Sequence, residues 1–136
     1  MEKIIYNKLI PLKGFKAMAL WPFIFIRLEK KGMLMPTDYR HERIHLRQQR
    51  NFAIVGIAIC VVLLTMGCGW WSLLALPLFF LHYGLEWLIK LCITRSCYRA
   101  YRSISTEREA YVYEHTGDYL SRRKIFAWLK FVFKVI

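Results

Sequence analysis

Apolar and polar positions fall into three regimes along this chain. In residues 1–36, two short runs at 15–20 and 22–28 are together rich in aromatic and β-branched residues. Lys30-Lys31-Gly32 closes them as a turn signal, so the pair predicts a β-hairpin region forming a small N-terminal sheet. Residues 37–51 are predominantly polar and free of Gly and Pro. Pro36-Thr37-Asp38 just before them offers an extended residue and an N-cap, which predicts a helix.

From residue 52 to 71 there is no charged side chain. Twenty residues at about 1.5 Å each cover the roughly 30 Å hydrocarbon core of a bilayer, so the stretch predicts a first transmembrane helix. Gly67-Cys68-Gly69 breaks it and Trp70-Trp71 supplies an interfacial anchor. Residues 72–93 then return as a second span, interrupted only by Glu86 and Lys90. Residues 94–118 read as a further helical region. In residues 119–136 the final twelve are too few to cross a bilayer, and the stretch predicts an interfacial amphipathic helix, with Arg123, Ala127, Lys130 and Lys134 along one stripe and aromatics opposite.

Charge sharpens this picture. Of the 21 Lys and Arg, eleven lie in residues 1–50, one in 51–94 and nine in 95–136. Both ends of the hairpin are basic and its loop is neutral, so both termini are expected in the cytoplasm, in a multi-pass protein of a bacterial-type inner membrane. The first sixteen residues mix charged and apolar side chains and give no core for a cleavable leader, so the spans themselves are expected to direct insertion. Topology accounts for the net charge of +12, and no nucleic-acid-reading motif accompanies it, so nucleic acid is not an expected partner. The four cysteines include no CxxC pair and read as small apolar fillers.

Chemistry concentrates in His41-Glu42-Arg43-Ile44-His45. On a helix the two imidazoles lie one turn apart on one face, with a carboxylate beside them, in the outline of a zinc hydrolase site. Glu42 would take a proton from water. A third ligand should come from the same membrane side, and Thr106-Glu107-Arg108-Glu109 offers two acids. With Thr106 and Glu109 spaced as a capping box, Glu107 is left to bind and Glu109 is the substitute. Glu107 as a helix-start carboxylate, or as a partner for Arg102 or Arg108, is the competing reading. Gln48 and Gln49 are either polar surface or second-shell donors. Tyr111, Tyr113 and His115 are open choices for a donor that steadies an oxyanion. Inside the second span, His82, Glu86 and Lys90 share one face at i, i+4 and i+8, with Glu86 and Lys90 as the simplest pair and Lys90 reaching toward the interface.

Two motifs, His41-Glu42-x-x-His45 and Glu107-x-x-Ala110, resemble those of the gluzincin metalloproteases, particularly integral-membrane members of the HtpX type and the BlaR/MecR type. The resemblance implies Zn2+ held by His41, His45 and Glu107, with Glu42 as general base and acid. It also implies a zincin-like α+β domain into which the two-helix transmembrane hairpin is inserted. Tyr111 stands where those families carry an Asp that supports a ligating histidine. The expected function is that of a membrane zinc metalloprotease cutting peptide or membrane-protein substrates at the cytoplasmic face. The alternative is a non-catalytic membrane scaffold with a structural metal or none. Small size leaves room for a homo-oligomer.

Overall fold

A computed structural model describes residues 2–136 as a mainly helical chain carrying a small sheet. The sheet has three strands: β1 (Lys3–Asn7), β2 (Ala17–Leu20) and β3 (Phe23–Arg27). Its order is β1-β3-β2, with β1 parallel and β2 antiparallel to β3. The two anticipated runs became β2 and β3. Strand β1 was not anticipated, because Lys3-Ile4-Ile5-Tyr6-Asn7 reads as too mixed and too short before its partner is known.

Alternation along β3 turns Ile24 and Ile26 toward the helices, where both are fully buried with Ala19 and Leu46. Ala17 and Ala19 on β2 are small enough to let the long helix come close. That helix, α1 (Pro36–Thr65), runs 30 residues, or about 45 Å. Its cap differs from expectation. Met35 is the N-cap and Pro36 the first helical residue, while Asp38 reaches back to accept from the Met35 N–H at 2.8 Å.

The expected first span at 52–71 also needs correction, since α1 ends at Thr65 and Gly67 and Gly69 follow with positive φ. Residues 69–75 form instead a 3-10 helix, Gly69–Ala75, which lies against α1. Gly56 makes that approach feasible: a Cβ there would stand 2.4 Å from the Ala75 carbonyl oxygen. The return helix α2 (Leu78–Thr94) is bent by 66° from the 3-10 segment. One helix, Pro36–Thr65, is therefore long and apolar enough to cross a membrane, and the bent pair would make a second only if both pieces form one span. Just 28% of the apolar window of α1 is buried, unlike the core helix of a soluble protein.

Helices α3 (Cys97–Ser103) and α4 (Ser105–Tyr113) follow, separated by the extended backbone of buried Ile104. The capping box expected from Thr106 and Glu109 is absent. Glu86 of α2 provides the cap, accepting from the Ser105 N–H at 3.0 Å and its hydroxyl at 2.6 Å. Lys90 does not extend to an interface either. It is buried and donates to the carbonyls of Val132 and Lys134, with Glu86 at 4.0 Å.

The last stretch is not one amphipathic helix. It breaks into α5 (Tyr119–Arg122) and a 3-10 turn, Ala127–Phe131, with Phe126 left-handed between them. Trp128 turns inward onto Phe52 and Phe79 and forms a second core. Of the cysteines, Cys60 is buried while Cys92 and Cys97 are exposed, and all are free thiols.

Candidate metal centre

Helices α1 and α4 cross where His41, His45 and Glu107 meet. Spacing of four residues puts both imidazoles on one face of α1, with ring centroids 4.8 Å apart. Their Nε2 atoms stand 3.1 Å from each other. Glu107, one turn into α4, brings one carboxylate oxygen to 3.4 Å from His41 Nε2 and the other to 3.3 Å from His45 Nε2. All three side chains are largely shielded from solvent, at 12%, 9% and 5% exposure.

The surrounding hydrogen bonds fix the tautomers. His41 Nδ1 faces Glu114 Oε2 at 2.8 Å, and His45 Nδ1 faces Gln48 Oε1 at 2.8 Å. Gln48 itself cannot be turned over, because its amide nitrogen already donates to the Thr106 carbonyl and to Glu109. Both Nδ1 atoms thus carry protons, so each Nε2 is the atom left to bind an ion once any proton on it is displaced. Two imidazole Nε2 atoms and a carboxylate converge, and Glu107 Oε2 is buried without a hydrogen-bond partner. A set of acceptors arranged this way can hold a cation. Burial alone would raise the Glu107 carboxyl, but His45 and His41 more than offset it and hold the group well below the usual carboxylate range.

Support radiates outward from the three. Arg123 and Glu109 pair at 4% and 0% exposure, Tyr119 donates to the same carboxylate, and Glu109 accepts from Gln48, which holds His45. Glu109 is therefore not a substitute ligand; its oxygens are taken by Arg123, Tyr119 and Gln48. On another side the Tyr83 hydroxyl donates to Glu107 Oε1 at 2.9 Å. Tyr101 lines the same cavity as Tyr83 and Glu107, and burial, followed by the Glu107 charge, pushes its phenol well above the usual range, so it stays protonated.

The other expected residues divide. Glu42 lines a cavity of about 510 Å³ together with His41, His45 and Glu107, and burial raises its carboxyl above the usual range. Gln48 is a ligand partner, as one reading allowed. Gln49 instead bridges to the sheet, donating to the Ala19 carbonyl and accepting from the Trp21 N–H. Tyr111 packs its ring on His41 at 4.6 Å beneath the Arg102 guanidinium. Tyr113 is stacked on Tyr119 and bonded to Lys130, away from the ligands, and His115 is exposed beside Glu114. His82, Glu86 and Lys90 serve the α4 cap and the C-terminal stretch, with His82 3.3 Å from Glu86. Glu114, Tyr83 and Tyr101 escaped sequence reasoning. Only Glu114 left a trace: it follows Glu107 by seven residues, two turns along the same face of the helix.

No protein-family model, curated protein or solved structure matches this chain.

Proposed function

We propose that the chain is a small zinc-dependent membrane metalloprotease, acting on membrane or membrane-proximal peptides at the cytoplasmic face. The observation that carries this reading is the convergence of the two histidine Nε2 atoms and Glu107 with Glu42 beside them. Ligand atoms about 2.0–2.1 Å from a tetrahedral zinc stand roughly 3.3 Å from one another. The two Nε2 atoms, 3.1 Å apart, fit that spacing, and the two Glu107 oxygens straddle the same point, one 3.4 Å from His41 Nε2 and the other 3.3 Å from His45 Nε2. Zinc bound there would supply Lewis acidity and acidify a water.

The residues perform the rest. His41 and His45 are locked as Nε2 donors to the ion by Glu114 and Gln48. Glu42 accepts the proton of the attacking water and returns it to the leaving amine. The free edge of β2 is the natural seat for an extended backbone. Among its outward groups, Gln49 takes the Ala19 carbonyl and the Trp21 N–H, and those of Ala17 remain for a substrate. The arrangement of sheet, paired helices and apolar hairpin supports a zincin-like α+β domain with its hairpin in the bilayer. Exposed Ile54, Ile57, Val61, Leu64, Leu81, Leu85 and Leu88 make an apolar belt of the kind that faces lipid.

The test is hydrolysis of quenched fluorescent peptides by the zinc-loaded full chain in detergent, set against Glu42→Gln. Cleavage by the native chain, lost in a variant that still binds zinc, is the expected result. Zinc binding without cleavage by any preparation would replace the enzyme with a metal-binding scaffold.

A further inference from the structure

The cavity beside the metal cluster has a second wall, on α2, that the proposed chemistry does not use. Helix α2 presents three faces. Leu81, Leu85, Leu88 and Ile89 are exposed, whereas His82, Glu86 and Lys90 turn toward α4 and the C-terminal stretch. Phe80, Tyr83, Gly84 and Trp87, at i, i+3, i+4 and i+7, line the cavity opposite Met18 of β2. Between those large side chains, position 84 is open: a Cβ built on Gly84 meets no heavy atom within 4 Å. Glycine weakens a helix by about 1 kcal/mol relative to alanine. Neither a positive φ nor a close backbone approach accounts for it here. What the missing side chain provides is room, in an aromatic-walled space that reaches the ligands.

We propose, resting on the protease reading, that this space receives one large apolar side chain of the substrate next to the cleaved bond, and that Gly84 sets its depth. Continuity with Glu42 and the ligands at one end, and with the outward groups of Ala17 at the side, suits a residue of an extended peptide whose backbone lies along β2. The α2 side chains that form the wall, Phe80, Tyr83 and Trp87, carry no charge, so charged side chains would be excluded by desolvation. The substrate class is then a hydrophobic peptide segment, as supplied by the end of a transmembrane helix.

Peptide hydroxamates give a binding readout that does not require turnover. The full chain, zinc-loaded in detergent, would be titrated with a hydroxamate carrying a leucine side chain and with its alanine counterpart, while matched leucine, alanine and aspartate peptides are scored for cleavage. The native chain should favour leucine over alanine by roughly tenfold or more in both assays and reject aspartate. In Gly84→Leu that ratio should collapse toward one while zinc per chain is kept, with Gly84→Ala intermediate. Equal binding of the two hydroxamates by the native chain, or an unaltered ratio in Gly84→Leu, would overturn the proposal even if peptides are cut. A leucine preference in binding that Gly84→Leu abolishes, without cleavage of any peptide, would uphold the side-chain site and sink the protease reading instead.

Discussion

Replacing Glu114 probes how the cluster is built, because this residue touches His41, one of the three that could hold a metal ion, and is not itself one of them. Its carboxylate accepts the His41 Nδ1 proton at 2.8 Å, which fixes the tautomer and aims Nε2 at Glu107. Loss of such a partner typically weakens metal binding 10- to 100-fold, or about 1.4–2.7 kcal/mol. Glu114→Gln keeps an acceptor oxygen in place but removes the charge, so it should sit near the tenfold end. Glu114→Ala removes both and should approach a hundredfold. The Arg40 guanidinium is held by the Glu114 main-chain carbonyl, so that contact survives either substitution. Competition with a chromophoric zinc chelator in detergent, at fixed pH, would give the constants. Affinity within twofold of native for Glu114→Ala would refute the claim that this carboxylate orients the ligand. Complete loss of metal would show it to be a ligand itself.

Further out, Arg123→Ala strands Glu109 as an unpaired buried carboxylate. Thermal unfolding in detergent should show a loss of about 3–5 kcal/mol, with weaker zinc binding through Gln48, whereas a neutral effect would contradict the buried pair. Gly56→Ala forces a methyl into the Ala75 carbonyl. Overpacking of about 1–3 kcal/mol should outweigh the helix gain of about 1 kcal/mol, and a raised melting temperature would count against the close contact of α1 with the 3-10 segment. Zinc affinity should fall as pH drops through about 9: burial opposes a charge on His45, but Glu107 beside it outweighs burial and holds the imidazole up at about 9, and the ion must displace that proton. Glu107 is held below the ordinary carboxylate range, stays ionised throughout, and should add nothing to that slope. A pH-independent affinity would argue against histidine ligation.

The sequence made the centre legible because its parts are local or strongly constrained in type. Four-residue spacing in a stretch of helix without Gly or Pro, residues 37–51, puts His41 and His45 together, and an acid after the uncharged stretch brings Glu107. The two later strands were legible for the same reason. Less legible were features that depend on distant partners. Glu109 and Thr106 have the spacing of a capping box, yet Glu86, nineteen residues before Ser105, wins the cap because burial would otherwise leave its carboxylate unsatisfied. Lys90 looked free to reach water until the C-terminal carbonyls closed over it. The span boundaries failed because hydropathy does not register the positive φ of Gly67 and Gly69, and the tail failed because Trp128 is worth more against Phe52 and Phe79 than in a continuous surface helix. Position 111 is a Tyr where the resembled families carry a supporting Asp, and the acid that meets His41 Nδ1 is Glu114, three residues later.

Metal content of the detergent-purified full chain tests the central claim most directly. The account predicts about one zinc per chain in the native protein and in Glu42→Gln, and none retained through dialysis in His45→Ala or Glu107→Gln. A native chain that takes up no zinc when it is supplied, or variants that bind it as well as the native chain, would contradict it.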